Sequence, residues 1–490
     1  MRRSIAFLAL PLVFAACAGQ PDPPGLELIR QDELQADLMT LAGDHFRGRE
    51  AGTLDEIRAS VWLAEQARKA GLEPAGDDGT YFQFWPLRMV RLAPATRIAI
   101  DATPLAVGPD VLSLSLVDAT IDAPIAQAGD GRAEALRGAN LAGKVAVVRM
   151  TAPDAPIPDD ISIRPARYAF ANLFERLAAV AGKGPAAIVF VADAVADSGW
   201  DFVAALDAGY GLEFGESLIG PPPPVPVFWV RQASAPLFAA TGRRFTARLV
   251  AERTTFPSVN VVARVPGSDP ARRGQYVLFS AHQDHDGIKP AVAGDSIWNG
   301  ADDNGSASVG ILAIGRAWAR HPAPRSALFV WHGAEEKGLL GSRYHADHPV
   351  VPRDSIVAVL NADMIGSNSP DSAGLLGAQP PHLNSRELAD LALRTNETVG
   401  HFALDSLWDR PDHPEGWYFR SDHVPYARLG IPSLYFSSLP HPRYHTPADE
   451  PDAIDYAKLT RIARWMYATG WAAATRMDQV RLTADSTGRR

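Results

Sequence analysis

The stretch Tyr276-Val-Leu-Phe-Ser-Ala-His282 carries no charged residue, ends on a histidine, and is followed by Gln283 and Asp284. Its length and composition are typical of a strand that is buried on both faces. Three further runs of this kind follow, at 327–331, 356–360 and 433–436. Helical stretches such as 306–320 alternate with them. The pattern predicts an α/β fold with a mixed, mostly parallel central sheet flanked by helices.

Side chains that can bind metals or transfer protons follow each of these four strands. In chain order they are His282 and Asp284, then Glu335 and Glu336, then Asp363, then Tyr444 and His445, with the pair Asp302-Asp303 opening the helix at 306–320. Ligand sites of open α/β sheets lie beyond the carboxyl ends of the strands. We therefore expect these side chains to converge at one edge of the sheet.

Five of these groups have the chemistry and the number needed for two metal ions: His282, Asp302, Glu336, Asp363 and His445. If Asp302 bridges, each ion receives one imidazole and one further carboxylate, and a position remains for a shared water. Two divalent cations, three carboxylates and one hydroxide sum to zero, which limits the cost of burying the cluster. Imidazole and carboxylate favour zinc, with cobalt and manganese as alternatives. Glu335 is left over as a general base.

The motifs resemble those of the bacterial dizinc aminopeptidases, zinc exopeptidases whose relatives include leucine aminopeptidases, glutamate carboxypeptidases and glutaminyl cyclases. The matching segments lie between residues 258 and 456 and are Ser280–Asp284, Asn299–Asn304, Gly333–Gly341, Asn361–Gly366, Ser421–His423 and Tyr444–Pro447. The segment Ala42–Thr53 is similar to the N-terminal region of that family. The resemblance implies two zinc ions, one held by His282 and Asp363, the other by Glu336 and His445, with Asp302 bridging and Glu335 as base.

The resemblance also implies roles for neighbouring residues. Asp284 would orient the ring of His282 through its second nitrogen, and Asp303 would support the ligands from behind. A cis peptide bond is expected between Asp302 and Asp303. Tyr444 matches a position that donates a hydrogen bond to the developing oxyanion in some relatives. For the remaining histidines, ordinary structural roles are expected: His285, His332, His423 and His441.

The implied activity is that of an exported dizinc metallopeptidase. A zinc-bridged hydroxide attacks the first peptide bond, and Glu335 passes the proton to the leaving amine. Substrates would be peptides with a free N-terminus. The candidates for the wall of the specificity pocket are aromatic: Trp298, Trp408, Trp417, Tyr418 and Phe419.

Three other functions belong to the same group of proteins. A glutaminyl cyclase has a single-zinc site and needs fewer ligands than are present here. A carboxypeptidase for acidic dipeptides requires clustered arginines, and the sequence does not place Arg410, Arg420 or Arg443 together. A non-catalytic, receptor-like binding protein is disfavoured because members of that kind have lost ligands.

The first residues have the sequence pattern of an export signal. Arg2 and Arg3 precede an apolar run, Ile5–Ala16, that is shorter than the about 20 residues needed to span a bilayer. We expect a signal peptide over 1–17, in which Cys17 resembles the cysteine of a bacterial lipobox, followed by a tether over 18–25. A lipid on Cys17 would hold the protein at the periplasmic face or the outer membrane. Cleavage after Ala18 would instead leave it secreted or periplasmic.

The rest of the chain divides by composition. Two helices are expected in the N-terminal part of a catalytic domain, 26–105, and the main part of that domain covers 254–478, before a tail at 479–490. Between them, 106–253 contains short strands at 144–148, 187–191 and 225–230 and a proline run at 221–224. This block resembles an inserted protease-associated domain.

Composition narrows the function classes further. The chain has 490 residues, 47 Lys and Arg against 56 Asp and Glu, and a net charge of −9, so no nucleic-acid partner is expected. Its 47% hydrophobic residues are typical of a globular protein of two or three domains. Its one cysteine forms neither an intrachain disulfide nor a Cys-based zinc site. No stretch after the signal approaches a transmembrane length without charges, so the membrane is expected to be contacted only through the lipid.

Overall fold

The computed structural model describes residues 22–154, 157, 163–206, 211–212, 225–413 and 415–483. The predicted signal peptide with Cys17, the first half of the tether, the proline run at 221–224 and the last seven residues of the tail lie outside these ranges. Among the described residues, no helix combines the length and apolarity that a membrane crossing requires.

Helices and strands alternate along much of the chain. The α-helices are α1 (Gln31–Leu41), α2 (Leu54–Lys69), α3 (Arg164–Ala181), α4 (Ala194–Ser198), α5 (Trp200–Leu206), α6 (Ala307–Arg320), α7 (Leu340–Asp347), α8 (Arg386–Thr395), α9 (His423–Arg428) and α10 (Tyr456–Thr475). Shorter helical turns lie at Leu26–Leu28, Asp44–Phe46, Asp77–Gly79, Gln232–Phe238, Ala301–Ser306, Arg353–Ser355, Asn396–Gly400, Leu407–Asp409, Trp417–Phe419 and Pro451–Ala453. The two helices expected in the first part of the chain are α1 and α2.

The strands are β1 (Glu73–Pro74), β2 (Phe82–Leu92), β3 (Arg97–Ile100), β4 (Thr103–Leu105), β5 (Val111–Ser113), β6 (Ala119–Gln127), β7 (Val145–Arg149), β8 (Ala187–Val191), β9 (Gly211–Leu212), β10 (Val227–Val230), β11 (Arg244–Leu249), β12 (Ala251–Val265), β13 (Tyr276–His282), β14 (Gly287–Val292), β15 (Asp295–Trp298), β16 (Ser326–His332), β17 (Ile356–Ala362), β18 (Ser372–Leu376), β19 (Ala403–Leu404) and β20 (Ser433–Ser437). The main sheet runs β19-β18-β20-β17-β13-β16-β12-β2-β9, with β1 beside β12. Strands β14 and β15 form a separate hairpin.

The four strands predicted from the sequence form the centre of the main sheet. Strand β13 lies between β16 and β17, β20 lies beyond β17, and these neighbours are all parallel. Farther out, β16 with β12, β12 with β2 and β20 with β18 are antiparallel, whereas the short edge pair β18 with β19 is parallel. The predicted mixed α/β class is confirmed, and parallel pairing is concentrated where the strands are buried on both faces.

Helices cover both faces of this central sheet, and successive side chains of β13 point alternately into the two cores. Val277 and Phe279 belong to the larger core, which the apolar residues of α1, α2, α6 and α10 complete. Leu278 points to the opposite face and belongs to a core that includes Tyr426 of α9 and Ala346 of α7. With both faces covered, the edge at the carboxyl ends is left for polar side chains.

The strands between Arg97 and Leu249, apart from β9, which pairs with β2 in the main sheet, build a second sheet in the order β4-β3-β11-β6-β7-β8-β10-β5. The strands expected at 144–148, 187–191 and 225–230 are β7, β8 and β10. The chain leaves the main sheet through β2 and returns through β12, which pair along their length. The second sheet therefore begins at β3, somewhat before the expected boundary at 106.

Candidate metal centre

The carboxyl ends of the central strands bring the predicted groups together. His282 is the last residue of β13, and Asp363 directly follows β17. The Nε2 atom of His282 lies 3.4 Å from Oδ1 of Asp363 and 3.9 Å from Oε2 of Glu335. Two carboxylates that are distant from His282 in the sequence thus lie within 4 Å of its Nε2 atom.

The carboxylate between the two imidazoles belongs to Asp303. Its Oδ1 lies 3.2 Å from Nε2 of His282, and its Oδ2 lies 3.1 Å from Nε2 of His445. The expectation that Asp302 bridges is therefore wrong by one residue. The cis peptide bond is displaced in the same way, because it joins Asp303 and Asn304 rather than Asp302 and Asp303.

Asp302 is turned away from the imidazoles by its own partners. Its Oδ1 accepts a 2.6 Å hydrogen bond from the backbone N–H of Gly366, and its Oδ2 lies 3.2 Å from Nε2 of His441. The carboxylate of Asp449 accepts hydrogen bonds of 3.0 Å from the backbone N–H groups of both Asp302 and Asp303. This clamp fixes the turn, so that only the second aspartate faces the site.

The remaining carboxylate, that of Glu336, lies beside the second imidazole. Its Oε2 is 3.2 Å from Nε2 of His445. Asp303, Glu336 and His445 therefore form one triad of side chains that can bind a metal ion, and Asp303, Asp363 and His282 form another. The two triads share the carboxylate of Asp303.

These atoms fit a pair of metal ions. Three of them are buried without a hydrogen-bond partner: Nε2 of His282, Nε2 of His445 and Oδ1 of Asp363. Zinc bonds of about 2.0–2.1 Å in a tetrahedron place neighbouring ligand atoms about 3.3 Å apart. The four separations of 3.1, 3.2, 3.2 and 3.4 Å that link imidazole nitrogens to carboxylate oxygens match this value.

Electrostatics also favour cations. Burial alone would lower the pKa of His282 and His445, but the surrounding carboxylates outweigh it, so both pKa values are raised, that of His445 to about 10. Burial raises the pKa of Glu335 well above its usual range, and the charges of Glu336 and Asp363 add to the shift. The carboxylates around the two imidazoles therefore favour positive charge at this site.

Asp284 contacts the site in a different way from the one expected. The atom closest to Nδ1 of His282 is the backbone carbonyl oxygen of Asp284, at 3.1 Å, whereas its carboxylate is 3.7 Å away. The carboxylate instead accepts hydrogen bonds from the backbone N–H groups of Glu335, at 3.0 Å, and Glu336, at 3.4 Å. Asp284 therefore positions the loop that carries both glutamates.

Several supporting residues were not anticipated. Ser421 donates a 2.8 Å hydrogen bond to Oδ2 of Asp363. His285 and His441, for which ordinary structural roles were expected, contact Glu336 and Asp302 respectively. The segment Ser421–His423 already belonged to a matching motif, but no local signal in the sequence pairs His285 or His441 with these carboxylates.

The N-terminal motif reaches the site through Arg49. Its buried guanidinium donates hydrogen bonds to the backbone carbonyls of Gln283, at 2.8 Å, Asn299, at 2.7 Å, and Gly300, at 3.0 Å. Burial lowers its pKa to about 10, which leaves it charged at neutral pH. Arg49 therefore ties together the two loops that present His282 and Asp303.

Tyr444 lies at the edge of the centre. Its ring packs edge-on against Trp417 at 5.8 Å and lies 4.0 Å from the ring of His445. The guanidinium carbon of Arg167, from helix α3, lies 5.5 Å from the centroid of the Tyr444 ring. Burial and the charges of Asp303 and Glu336 raise the pKa of the Tyr444 hydroxyl well above its usual value. It therefore stays protonated and is able to donate a hydrogen bond.

The other specificity candidates are distributed unevenly. Trp417 and Tyr418 are buried in one apolar cluster with Tyr444, and Trp408 packs against that cluster, whereas Phe419 is half exposed. Trp298 is buried in contact with Phe202 of helix α5, with ring centroids 5.7 Å apart.

The three arginines considered for an acidic-dipeptide pocket have separate partners. Arg410 pairs with Asp412 at 2.8 Å, and Arg420 pairs with Glu415 at 3.2 Å. Arg443 donates a 3.1 Å hydrogen bond to Oγ of Ser367.

Comparison with known proteins identifies related peptidases. Residues 260–470 match the model of peptidase family M28. A probable leucine aminopeptidase 1 of Trichophyton verrucosum (strain HKI 0517) is 27% identical over 251 residues, which cover 48% of this chain and 64% of that protein. Leucine aminopeptidase 2 of Trichophyton equinum is 35% identical over 195 residues, covering 38% of this chain and 34% of that protein. The chain thus spans less than two thirds of the length of these relatives.

Solved structures show the same fold. An aminopeptidase from Aneurinibacillus sp. strain AM-1 superposes with a TM-score of 0.60 at 18% identity, over 94% of this chain and 98% of that one. A zinc aminopeptidase from Bacillus subtilis superposes with a TM-score of 0.57 at 20% identity, over 91% and 96%. The predicted resemblance to the zinc exopeptidases is confirmed by the match of residues 260–470 to the peptidase family M28 model and by the shared fold.

Proposed function

We propose that this protein is a metallo-aminopeptidase that uses two zinc ions to remove the N-terminal residue from peptides. The observation that carries the proposal is the carboxylate of Asp303, which faces the imidazoles of His282 and His445 at 3.2 and 3.1 Å. A carboxylate between two imidazoles, one buried and one partly buried, each with a second carboxylate beside it, provides ligands for two cations. The names of the similar proteins support peptide substrates and zinc.

In the proposed enzyme, His282 and Asp363 would hold one ion, Glu336 and His445 would hold the other, and Asp303 would serve both. Three carboxylates and one hydroxide would balance two divalent cations, so the filled site would be close to neutral. Imidazole and carboxylate ligands without thiolates suit zinc, with cobalt or manganese as possible replacements. Zinc bound here would supply Lewis acidity, which polarises the peptide carbonyl and lowers the pKa of water to about 7.

Glu335 is the proposed general base. It is nearly buried, and its carboxylate lies 3.9 Å from Nε2 of His282 at the side of the cluster. Its backbone N–H is held by Asp284, which fixes the carboxylate relative to the ligand Glu336. Its carboxylate would accept a proton from the attacking water and return it to the leaving amine.

Tyr444 is the proposed oxyanion donor. Its hydroxyl remains protonated, and its ring is fixed against Trp417 and His445. A preorganised donor of this kind stabilises the negative charge that develops on the carbonyl oxygen.

We also propose that the protein is exported and carries a lipid on Cys17, on the strength of the N-terminal sequence alone. Cys17→Ala should release the protein from the membrane fraction of the host cell. If the variant stays in that fraction, lipidation of Cys17 is contradicted.

The activity is tested by metal analysis of the purified protein together with aminoacyl p-nitroanilides and their N-acetylated counterparts. We expect about two zinc ions per chain, cleavage of the free amines and no cleavage of the acetylated compounds. Glu335→Gln should retain zinc and lose turnover. The exposed Glu397, changed to Gln, is the matched control and should behave as the wild type.

Two results would contradict the proposal. Cleavage of acetylated substrates at the same rate would show that no free N-terminus is required. Cyclisation of N-terminal glutamine with release of ammonia, without peptide cleavage, would identify a glutaminyl cyclase instead.

A further inference from the structure

Two consecutive residues beyond the end of β13 contact the ligands of the second triad, Glu336 and His445. They are His285 and Asp286, both buried. Neither belongs to the set of ligands and catalytic groups assigned above. Their contacts differ from those that support the first triad.

His285 holds the carboxylate of Glu336. Its Nδ1 lies 2.8 Å from Oε1 of Glu336, which leaves the other oxygen, Oε2, facing His445. A side chain that occupies one carboxylate oxygen limits how the carboxylate can rotate. His285 therefore orients Glu336 with a single oxygen toward the site.

Asp286 faces the back of the second imidazole. Its Oδ2 lies 3.4 Å from Nδ1 of His445 and has no hydrogen-bond partner, although it is buried. Its Oδ1 is held by the ammonium group of Lys289 at 2.7 Å. That ammonium group lies 4.7 Å from the centroid of the Trp298 ring, which fixes it in turn.

The first triad is supported differently. The nearest acceptor to Nδ1 of His282 is a neutral backbone carbonyl at 3.1 Å, and Asp363 is held by the neutral hydroxyl of Ser421. A carboxylate behind a ligating imidazole increases the basicity of the imidazole and fixes which nitrogen carries the proton. The carboxylate of Asp286 lies 3.4 Å from Nδ1 of His445, whereas the nearest carboxylate oxygen to Nδ1 of His282 is 3.7 Å away.

We infer that His285 and Asp286 are positioning residues that set the affinity of the second metal position separately from that of the first. The inference rests on the proposed two-zinc centre and adds to it an order of loading. Weakening the support of His445 should empty one position while the other stays filled.

The test measures zinc binding by the full chain after chelator treatment, in competition with a chromophoric chelator. For Asp286→Asn we expect one of the two zinc affinities to fall about 10- to 100-fold, the usual effect of losing such a partner, while the other is unchanged. Ser421→Ala should weaken the other zinc affinity, that of the position beside His282 and Asp363. Asp354→Asn removes an exposed carboxylate far from the site and should change neither.

Asp286→Asn leaves the buried ammonium group of Lys289 without its carboxylate, so folding is checked by thermal melting. If the single variant does not fold, Asp286→Asn with Lys289→Met removes both charges and takes its place. Equal weakening of both affinities, or of neither, would overturn the inference. A wild-type chain with only one zinc site would overturn it as well, whereas two zinc sites without peptide cleavage would contradict the proposed function alone.

Discussion

Asp302 and Asp303 are adjacent, chemically identical and both buried, yet only Asp303 faces the imidazoles. Replacing each in turn by asparagine therefore tests which of the two carboxylates binds the metal ions. Asp303→Asn keeps the shape of the side chain and removes the charge that lies 3.2 Å from His282 and 3.1 Å from His445. Asp302→Asn removes a charge that faces His441 instead.

The size of the effect follows from the number of ligands. Zinc binding is worth about 10–16 kcal/mol where four ligands hold a structural ion, or about 2.5–4 kcal/mol for each ligand. Because Asp303 faces both imidazoles, its replacement should lower both zinc affinities by about 10²- to 10³-fold. Asp302→Asn should cost about 1.5–3 kcal/mol of folding stability, through the weakened contact with His441, and leave both affinities within a few fold of the wild type.

Competition with a chromophoric chelator measures the affinities, and thermal melting measures the stability. The reasoning is refuted if Asp302→Asn loses zinc while Asp303→Asn keeps it. Loss of zinc in both variants, with unchanged folding, would show that the two carboxylates act together.

Three further predictions concern protonation and the oxyanion. Zinc requires neutral imidazoles, and the pKa of His445 in the metal-free protein is raised to about 10. Zinc affinity should therefore increase with pH below that value, and zinc binding should release protons. If this is wrong, calorimetry in buffers of different ionisation enthalpy would show no buffer dependence of the binding enthalpy. Tyr444→Phe should lower kcat about 100-fold with unchanged zinc content, and an unchanged kcat would exclude Tyr444 as the oxyanion donor. Burial raises the pKa of Glu56 from 4.5 to about 8. The contribution of protonated Glu56 to folding stability is therefore complete below pH 4.5 and is lost as the pH rises to about 8. Glu56→Gln should therefore gain up to a few kcal/mol over the wild type between pH 5 and pH 8 in chemical denaturation, and parallel stability curves would contradict the shift.

The central strands and most of the site could be predicted because their signals are local. An uncharged run that ends on His282 predicts both a buried strand and a side chain at its carboxyl end. The same reasoning holds for Asp363 after β17 and for the glutamates after β16. These positions depend on strand periodicity and on the rule that parallel strands share one functional edge.

The choice between Asp302 and Asp303 could not be made in this way. It depends on the turn that Asp449 clamps from far along the chain, and on the contacts of Asp302 with Gly366 and His441. The supporting roles of His285 and Asp286 depend on Glu336 and His445 in the same manner. Such contacts are products of the tertiary structure, and no spacing in the sequence encodes them.

Anomalous diffraction at the zinc edge, from crystals of the zinc-loaded protein, tests the two-ion centre most directly. Our account predicts two peaks, one beside His282 and Asp363 and the other beside His445 and Glu336, with the carboxylate of Asp303 between them. A single peak, or a peak held by Asp302 and His441, would contradict it.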